Sequence, residues 1–341
     1  MIKQTSSPEA QANLRMGSFC NFSRDDSSDN QLSALTLVSK AGLRGSFLPN
    51  GLGTRSSVSG GNSIDPLSDL TLKPMNVSTV DDVAGALSYG PAFNDFTDDE
   101  IKAFGKVIHN MSAEQVARFN QMNMGNQMAA LSECAYGKNM QYGKNISGVD
   151  PRAEVDFQKI YNINANTQIN DTNAISAAIV MNVLKNNSGP GCITIGECDY
   201  HNKGQNFTDQ KDREAGQQIG RAIEAAYRLK KPLIFQLLTD GGVYANPGTR
   251  EWQGDSSTRS MTIIGFYNPN GAPKQRRLQV GSYVDGQAVD QTTVIGGEPA
   301  KVAYAVLANY LSAQNAVGNF DNVAPRSLFS IDQLDSILIF G

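Results

Sequence analysis

The stretch from Cys192 to Gly242 constrains the fold more tightly than any other, because a strand, a helix and a second strand can be read along it in order. Cys192-Ile-Thr-Ile-Gly196 is a short β-rich run. A helix is expected from about Thr208 to Lys230, where Ile219, Ala222, Ile223, Ala226 and Tyr227 recur at the spacing of one apolar stripe. Thr208 and Asp209 offer a cap. Asp212 and Glu214 stand towards the positive end of the helix dipole, and Arg228, Lys230 and Lys231 at its negative end. Pro232 stops the helix, and Leu233-Ile-Phe-Gln-Leu-Leu238 is an apolar run of strand length, suited to burial on both faces, that leads into Thr239-Asp-Gly-Gly242.

A βαβ unit of this kind crosses over right-handed and leaves its two strands parallel. With the strands as neighbours, the residues just past both share one edge, and ligands of open α/β sheets sit at that carboxyl edge. Asp199, His201 and Asp240 fall there. Carboxylates with an imidazole suit zinc or a similar divalent ion. Asp255, in the loop that carries Trp252 and returns over the same edge, is a fourth candidate ligand. His109 and His201 are the only histidines, which excludes a histidine-rich site. The competing reading is plain: an Asp at a strand end caps a helix or makes a turn, and a single His is hydrogen-bonded. His109 reads as a surface residue at a helix end. Ser256, Ser257 and Thr258 have no base nearby in sequence and no G-x-S-x-G elbow, so they read as loop hydroxyls.

The 341 residues suffice for one large α/β domain or two smaller ones. Residues 1–75 are rich in Ser, Gly, Asn and Asp and read as an irregular polar arm, with the α/β core expected over 76–341. Within that core, Thr97-Asp-Asp-Glu100 caps a short helix to Ile108. Ser112-Ala-Glu-Gln115 repeats the signature before a helix to about Ala135, which together predict an αα-hairpin over 97–135. Further helices are expected from Asp171 to Leu184 and from Glu298 to about Ala313, and a third strand over Ser260–Tyr267. Ile337-Leu-Ile-Phe340 reads as an edge strand or a docking tail. The fold class is therefore α/β, a mostly parallel sheet flanked by helices.

A net charge of −4 with interspersed signs and no basic, aromatic-interleaved stripe argues against nucleic acid as a partner. The charged fraction is low at 18% and the surface is rich in neutral polar residues, which suits packing against further copies in a homo-oligomer or larger assembly. Cys20, Cys134, Cys192 and Cys198 form no CxxC pair, so neither a thiolate zinc site nor a disulfide framework is indicated. No stretch reaches transmembrane length, and Met1-Ile-Lys-Gln-Thr-Ser-Ser-Pro8 lacks the apolar core of a signal peptide, which leaves the compartment open.

Gly196-Glu-Cys-Asp-Tyr-His201 resembles the Gly-Trp-Asp-Thr-His turn of a large bacterial group of uncharacterised proteins within the alkaline phosphatase and sulfatase superfamily. The long helix after it, the strand ending Thr239-Asp240-Gly241 and the run Gln253-Gly-Asp255-Ser are similar in position to that group's helix, acidic strand end and Asp-His pair. The likeness covers roughly residues 190–270. It implies a helix-flanked α/β sheet with metal ligands at its carboxyl edge, and metal-assisted hydrolysis of a phosphate or sulfate ester. Three features depart from the pattern. Residues 1–30 show no apolar strand to carry the family's first metal-binding Asp and its Ser or Thr nucleophile, Ser256 replaces the His of the pair, and the relatives' export signal is missing. Two readings follow: a non-catalytic, self-associating structural protein on a degenerate scaffold, favoured by the missing nucleophile, and a metal-dependent ester hydrolase.

Overall fold

A computed structural model describes residues 17–24, 33–54, 72, 74–88, 96–118, 148–200, 202–239, 242–245, 248–250, 252–256, 259, 261–271, 274–325 and 327–341. The chain divides into two compact units, one of residues 1–80 with 150–341 and one of residues 81–149.

The larger unit is built on a six-stranded sheet. In chain order its elements are β1 (Ser18–Ser23), α1 (Leu35–Lys40), β2 (Leu52–Gly53), β3 (Met75–Asn76), α4 (Val155–Tyr161), α5 (Thr172–Leu184), β4 (Gly191–Thr194), α6 (Gln205–Leu229), β5 (Leu233–Leu238), β6 (Gly242–Ala245), β7 (Trp252–Ser256), β8 (Thr262–Tyr267), α7 (Pro299–Ser312) and α8 (Ile331–Ile337). The smaller unit holds α2 (Val80–Ala86), which begins at the boundary, and α3 (Asp98–Arg118). The sheet order is β3-β2-β4-β1-β5-β8, with β6 and β7 as a separate antiparallel ribbon. β1 to β5 are parallel, and β8 closes one edge antiparallel to β5. Among the described residues, no helix is long and apolar enough to cross a membrane.

The central unit stands close to where the periodicity puts it. α6 runs three residues further at its start than expected, from the extended Gly204, and ends on Lys230 in the left-handed conformation before Pro232. α5 is capped by Asp171, whose carboxylate accepts from the backbone N–H of Ala174 at 2.9 Å. One expectation is corrected. β4 and β5 are parallel but not neighbours, because β1 lies between them and pairs with both.

That same strand overturns the reading of residues 1–30 as devoid of a core strand, and of 1–75 as an arm throughout. Every residue of β1 is buried. Its two faces serve two helical layers. Phe19 packs edge-on against Tyr310 of α7 with ring centroids 5.8 Å apart, in a cluster with Leu35, Val38, Cys192, Ile234 and Leu307. Cys20 faces the other layer, where a Cβ on Gly191 would lie 2.9 Å from Ile179 Cγ2, 3.0 Å from Val183 Cγ2 and 3.2 Å from Cys20 Sγ. Gly191 is thus what lets α5 sit directly on the sheet. Burial pushes the Cys20 thiol up to about 12, and pushes Cys192 upward as well, so both stay protonated core residues.

The αα-hairpin is corrected in part. α3 is one continuous helix through the second capping signature, since neither Gly nor Pro interrupts His109-Asn110-Met111. Its start is as expected: Glu100 accepts from the N–H and the hydroxyl of Thr97 at 2.7 and 2.8 Å, and Thr97 Oγ1 accepts from the N–H of Glu100 at 3.3 Å. His109 therefore sits inside a helix rather than at its end. The rest of the hairpin, to Ala135, lies outside the described residues.

Candidate functional site at the carboxyl edge

Parallel strands that start their exits level with one another present their next residues side by side. Here the ladder runs one step past the strands. The N–H of Ile195 donates to the carbonyl of Ser23 at 2.7 Å, and the N–H of Arg24 to the carbonyl of Leu238 at 3.1 Å. The exits of β4, β1 and β5 are therefore three neighbouring threads. β2 joins them through Thr54, whose hydroxyl accepts from the N–H of Thr194 at 2.8 Å. Beyond β5, the Thr239 hydroxyl donates to the carbonyl of Met261 at 3.0 Å, tying that exit to the start of β8.

The loop between β4 and α6 is held by side chains rather than by a ladder. Glu197 takes a left-handed conformation at φ 59°, and the Cys198 thiol donates to the carbonyl of Ile195 at 3.2 Å, which turns the chain back on itself. Tyr200 is 6% exposed, and its hydroxyl lies 2.7 Å from Asp212 Oδ1 and 3.1 Å from the carbonyl of Thr208. Arg24 Nη1 pairs with the same Asp212 oxygen at 2.7 Å, while its guanidinium carbon lies 4.6 Å from the centre of the Tyr200 ring. Lys211, next to Asp212 on α6, bonds Glu197 and Glu214, each at 3.0 Å. The hydrogen bond from Lys211 holds the Glu214 carboxyl below its usual range, and Glu214 in turn raises the Lys211 ammonium.

The four residues expected to hold a metal are placed unequally. Asp199 lies in this loop and is exposed at the rim. His201 and Asp240 lie outside the described residues. Asp255 stands in β7, next to Ser256, which pairs with Gly242 shortly beyond the end of β5; the ribbon therefore returns its backbone to that exit. Ser256 is a strand residue, not a loop residue. Among the described residues, no group of three or more His, Cys, Asp or Glu side chains could hold a metal ion.

The position of β1 changes what the edge can do. Strands are about 4.8 Å apart, so the exits of β4 and β5 stand about 10 Å apart, with the exit of β1 in the gap. Ligands drawn from β4 and β5 alone would have to reach across it. Arg24 stands in that gap, and the sequence after it reads Asp25-Asp26-Ser27-Ser28, which lies outside the described residues. Two carboxylates thus follow the middle strand in sequence, as Asp199 and His201 follow one neighbour and Asp240 the other. Carboxylates and one imidazole are a hard, oxygen-rich donor set of the kind a divalent cation takes, so the residue types fit such an ion. Sequence reasoning missed Arg24. The available signal was Phe19 and Phe22 in a six-residue run bounded by Gly17 and the acidic pair.

No protein-family model matches the chain, and neither a curated protein nor a solved structure gives a significant match to it.

Proposed function

We propose that the chain is a metal-dependent hydrolase of phosphate or sulfate esters, built on an alkaline-phosphatase-like core. One observation carries this reading. The three adjacent parallel strands β4, β1 and β5 leave the sheet level with one another, and each is followed within a few residues by carboxylate or imidazole side chains. The missing nucleophile favours a non-catalytic scaffold; in support of the hydrolase reading, β1 is a buried front strand of the kind whose absence the sequence suggested. Asp199, His201 and Asp240, with Asp255 from the returning ribbon and the acidic pair after β1, would hold the ion. A bound divalent ion supplies positive charge that activates a hydroxyl or water and stabilises the transferring group. The hydroxyls that follow the acidic pair are Ser27 and Ser28.

Elemental analysis of the purified protein, with turnover of p-nitrophenyl phosphate and p-nitrophenyl sulfate, tests the proposal. A stoichiometric divalent ion is expected, and both ion and turnover should be lost in Asp240→Asn while the melting temperature is kept. Metal-free protein that turns over neither ester after zinc, manganese or calcium is added would end this reading.

A second reading, a non-catalytic self-associating structural protein, is favoured by α3. Phe104, Val107, Ile108 and Met111 recur at helical spacing and are 50%, 54%, 50% and 58% exposed, an apolar stripe unusual on a solvated helix. If that stripe joins copies, light scattering shows an oligomer whose mass falls in the Val107→Glu, Met111→Glu double variant. A monomer in both removes this reading. Truncation as a test of self-association must stop before Gly17, because β1 begins at Ser18.

A further inference from the structure

We infer that Arg24, Tyr200 and Asp212 are positioning residues that hold Asp199 at the rim of the sheet, an inference that rests on the hydrolase reading above. Loops at strand ends are ordinarily the mobile part of a fold. In this one Tyr200 is anchored. Tyr200 is buried while its neighbour Asp199 is exposed, so the anchor sets where Asp199 stands. The ring of Tyr200 is covered on its face by Arg24 and meets Phe207 edge-on at 6.3 Å and 80°. A single oxygen, Asp212 Oδ1, takes both the Tyr200 hydroxyl and Arg24 Nη1 at 2.7 Å.

These contacts join three elements that are distant in sequence: the exit of the central strand, the loop after β4, and the second turn of α6. The Arg24 side chain is 11% exposed, and its position directly after β1 places its backbone between the exits of β4 and β5. Lys211 adds a second pin through Glu197, so two consecutive α6 residues fix loop positions 197 and 200. An arrangement needed only for stability could fasten the loop anywhere. This one fastens it at the residue next to Asp199, the exposed candidate ligand. Removing contacts that orient a metal ligand weakens metal affinity by about 10–100-fold, and an anchor one residue from Asp199 falls towards the lower end of that range.

The test compares wild type with Tyr200→Phe, which keeps the ring and removes the hydroxyl, and with Asp212→Asn, which keeps the shape and removes the charge. Zinc affinity is read by competition with a chelating dye, amide exchange over residues 195–204 by mass spectrometry, and kcat separately from KM on p-nitrophenyl phosphate and sulfate. Expected are about tenfold weaker zinc binding, faster exchange confined to 195–204, and lower kcat at similar KM in both variants. Arg24→Lys, which keeps a cation for Asp212, should lie closer to wild type than Arg24→Met. Faster exchange with unchanged zinc affinity and kcat would make the contacts merely structural and overturn the inference, leaving the hydrolase reading in place. A wild-type protein with neither zinc binding nor turnover would instead sink that reading, and the positioning role with it.

Discussion

Phe22→Ala is expected to destabilise the larger unit by about 3–5 kcal/mol, read as a fall in the urea midpoint with little change in slope. The size follows from where the residue stands. Phe22 is fully buried, its strand is hydrogen-bonded along both edges to β4 and β5, and its ring meets Phe235 edge-on at 6.4 Å and 80°. Truncation leaves a ring-sized void under three strands that are themselves fixed by helices on both faces, so little can collapse into it. Were residues 1–75 a surface arm, the same change would cost no more than about 0.5 kcal/mol. Deletion of residues 1–16 is the matched control, since it leaves Gly17 in place, whose carbonyl accepts from the Tyr310 hydroxyl at 2.9 Å. The contrast between the two variants separates a central strand from a docked tail.

How much of this was legible in the chain depended on whether local pattern and tertiary role agreed. They agree in α6 and β5. The stripe on α6 is periodic, β5 is apolar and bounded by Pro232, and both lie within a few residues of their expected limits. They disagree in β1, where Ser18, Asn21 and Ser23 interrupt the aromatic residues. Partners outside the strand offset part of that burial: Ser18 Oγ donates to the carbonyl of Val183 at 3.3 Å, and Asn21 Nδ2 to Ser33 Oγ at 3.0 Å. No window of sequence around β1 contains the first of those partners. β2 and β3 are two residues each, too short for any periodicity to register. The candidate site was legible to the same degree. Asp199, His201 and Asp240 follow from reading β4 and β5 as parallel. That Arg24 stands between the exits of β4 and β5 and shares a carboxylate oxygen with Tyr200 follows only from the strand that the pattern concealed.

Replacing Asn309 by Leu should cost on the order of 2–5 kcal/mol, from about 1–3 kcal/mol for each buried backbone group left unpaired. Asn309 is 2% exposed in the last turn of α7, an unfavourable place for a polar side chain unless it is fully used. Its Nδ2 donates to the carbonyls of Ala305 at 2.8 Å and Ile337 at 2.9 Å, and its Oδ1 accepts from the N–H of Ile339 at 2.5 Å. The side chain therefore serves the terminal residues on one side, while an isolated antiparallel bridge between Phe340 and Gln275 serves them on the other. Around it, the N–H of Arg276 donates to the carbonyl of Ile339 at 2.7 Å, Ser312 Oγ to the carbonyl of Phe340 at 2.7 Å, and the Phe340 ring packs against Phe266 at 5.9 Å. Leucine keeps the branched outline but is bulkier than asparagine, so the single substitution adds overpacking to the lost hydrogen bonds. Amide exchange at Ile339 should rise well before that of β5. The decisive comparison is a double-mutant cycle with deletion of residues 338–341, which removes the N–H of Ile339 together with its need for a partner. Asn309→Leu should then cost about 1–3 kcal/mol less than in the full chain. An equal cost in both backgrounds would mean that Asn309 acts through α7 alone and that the C-terminal residues are held by something else.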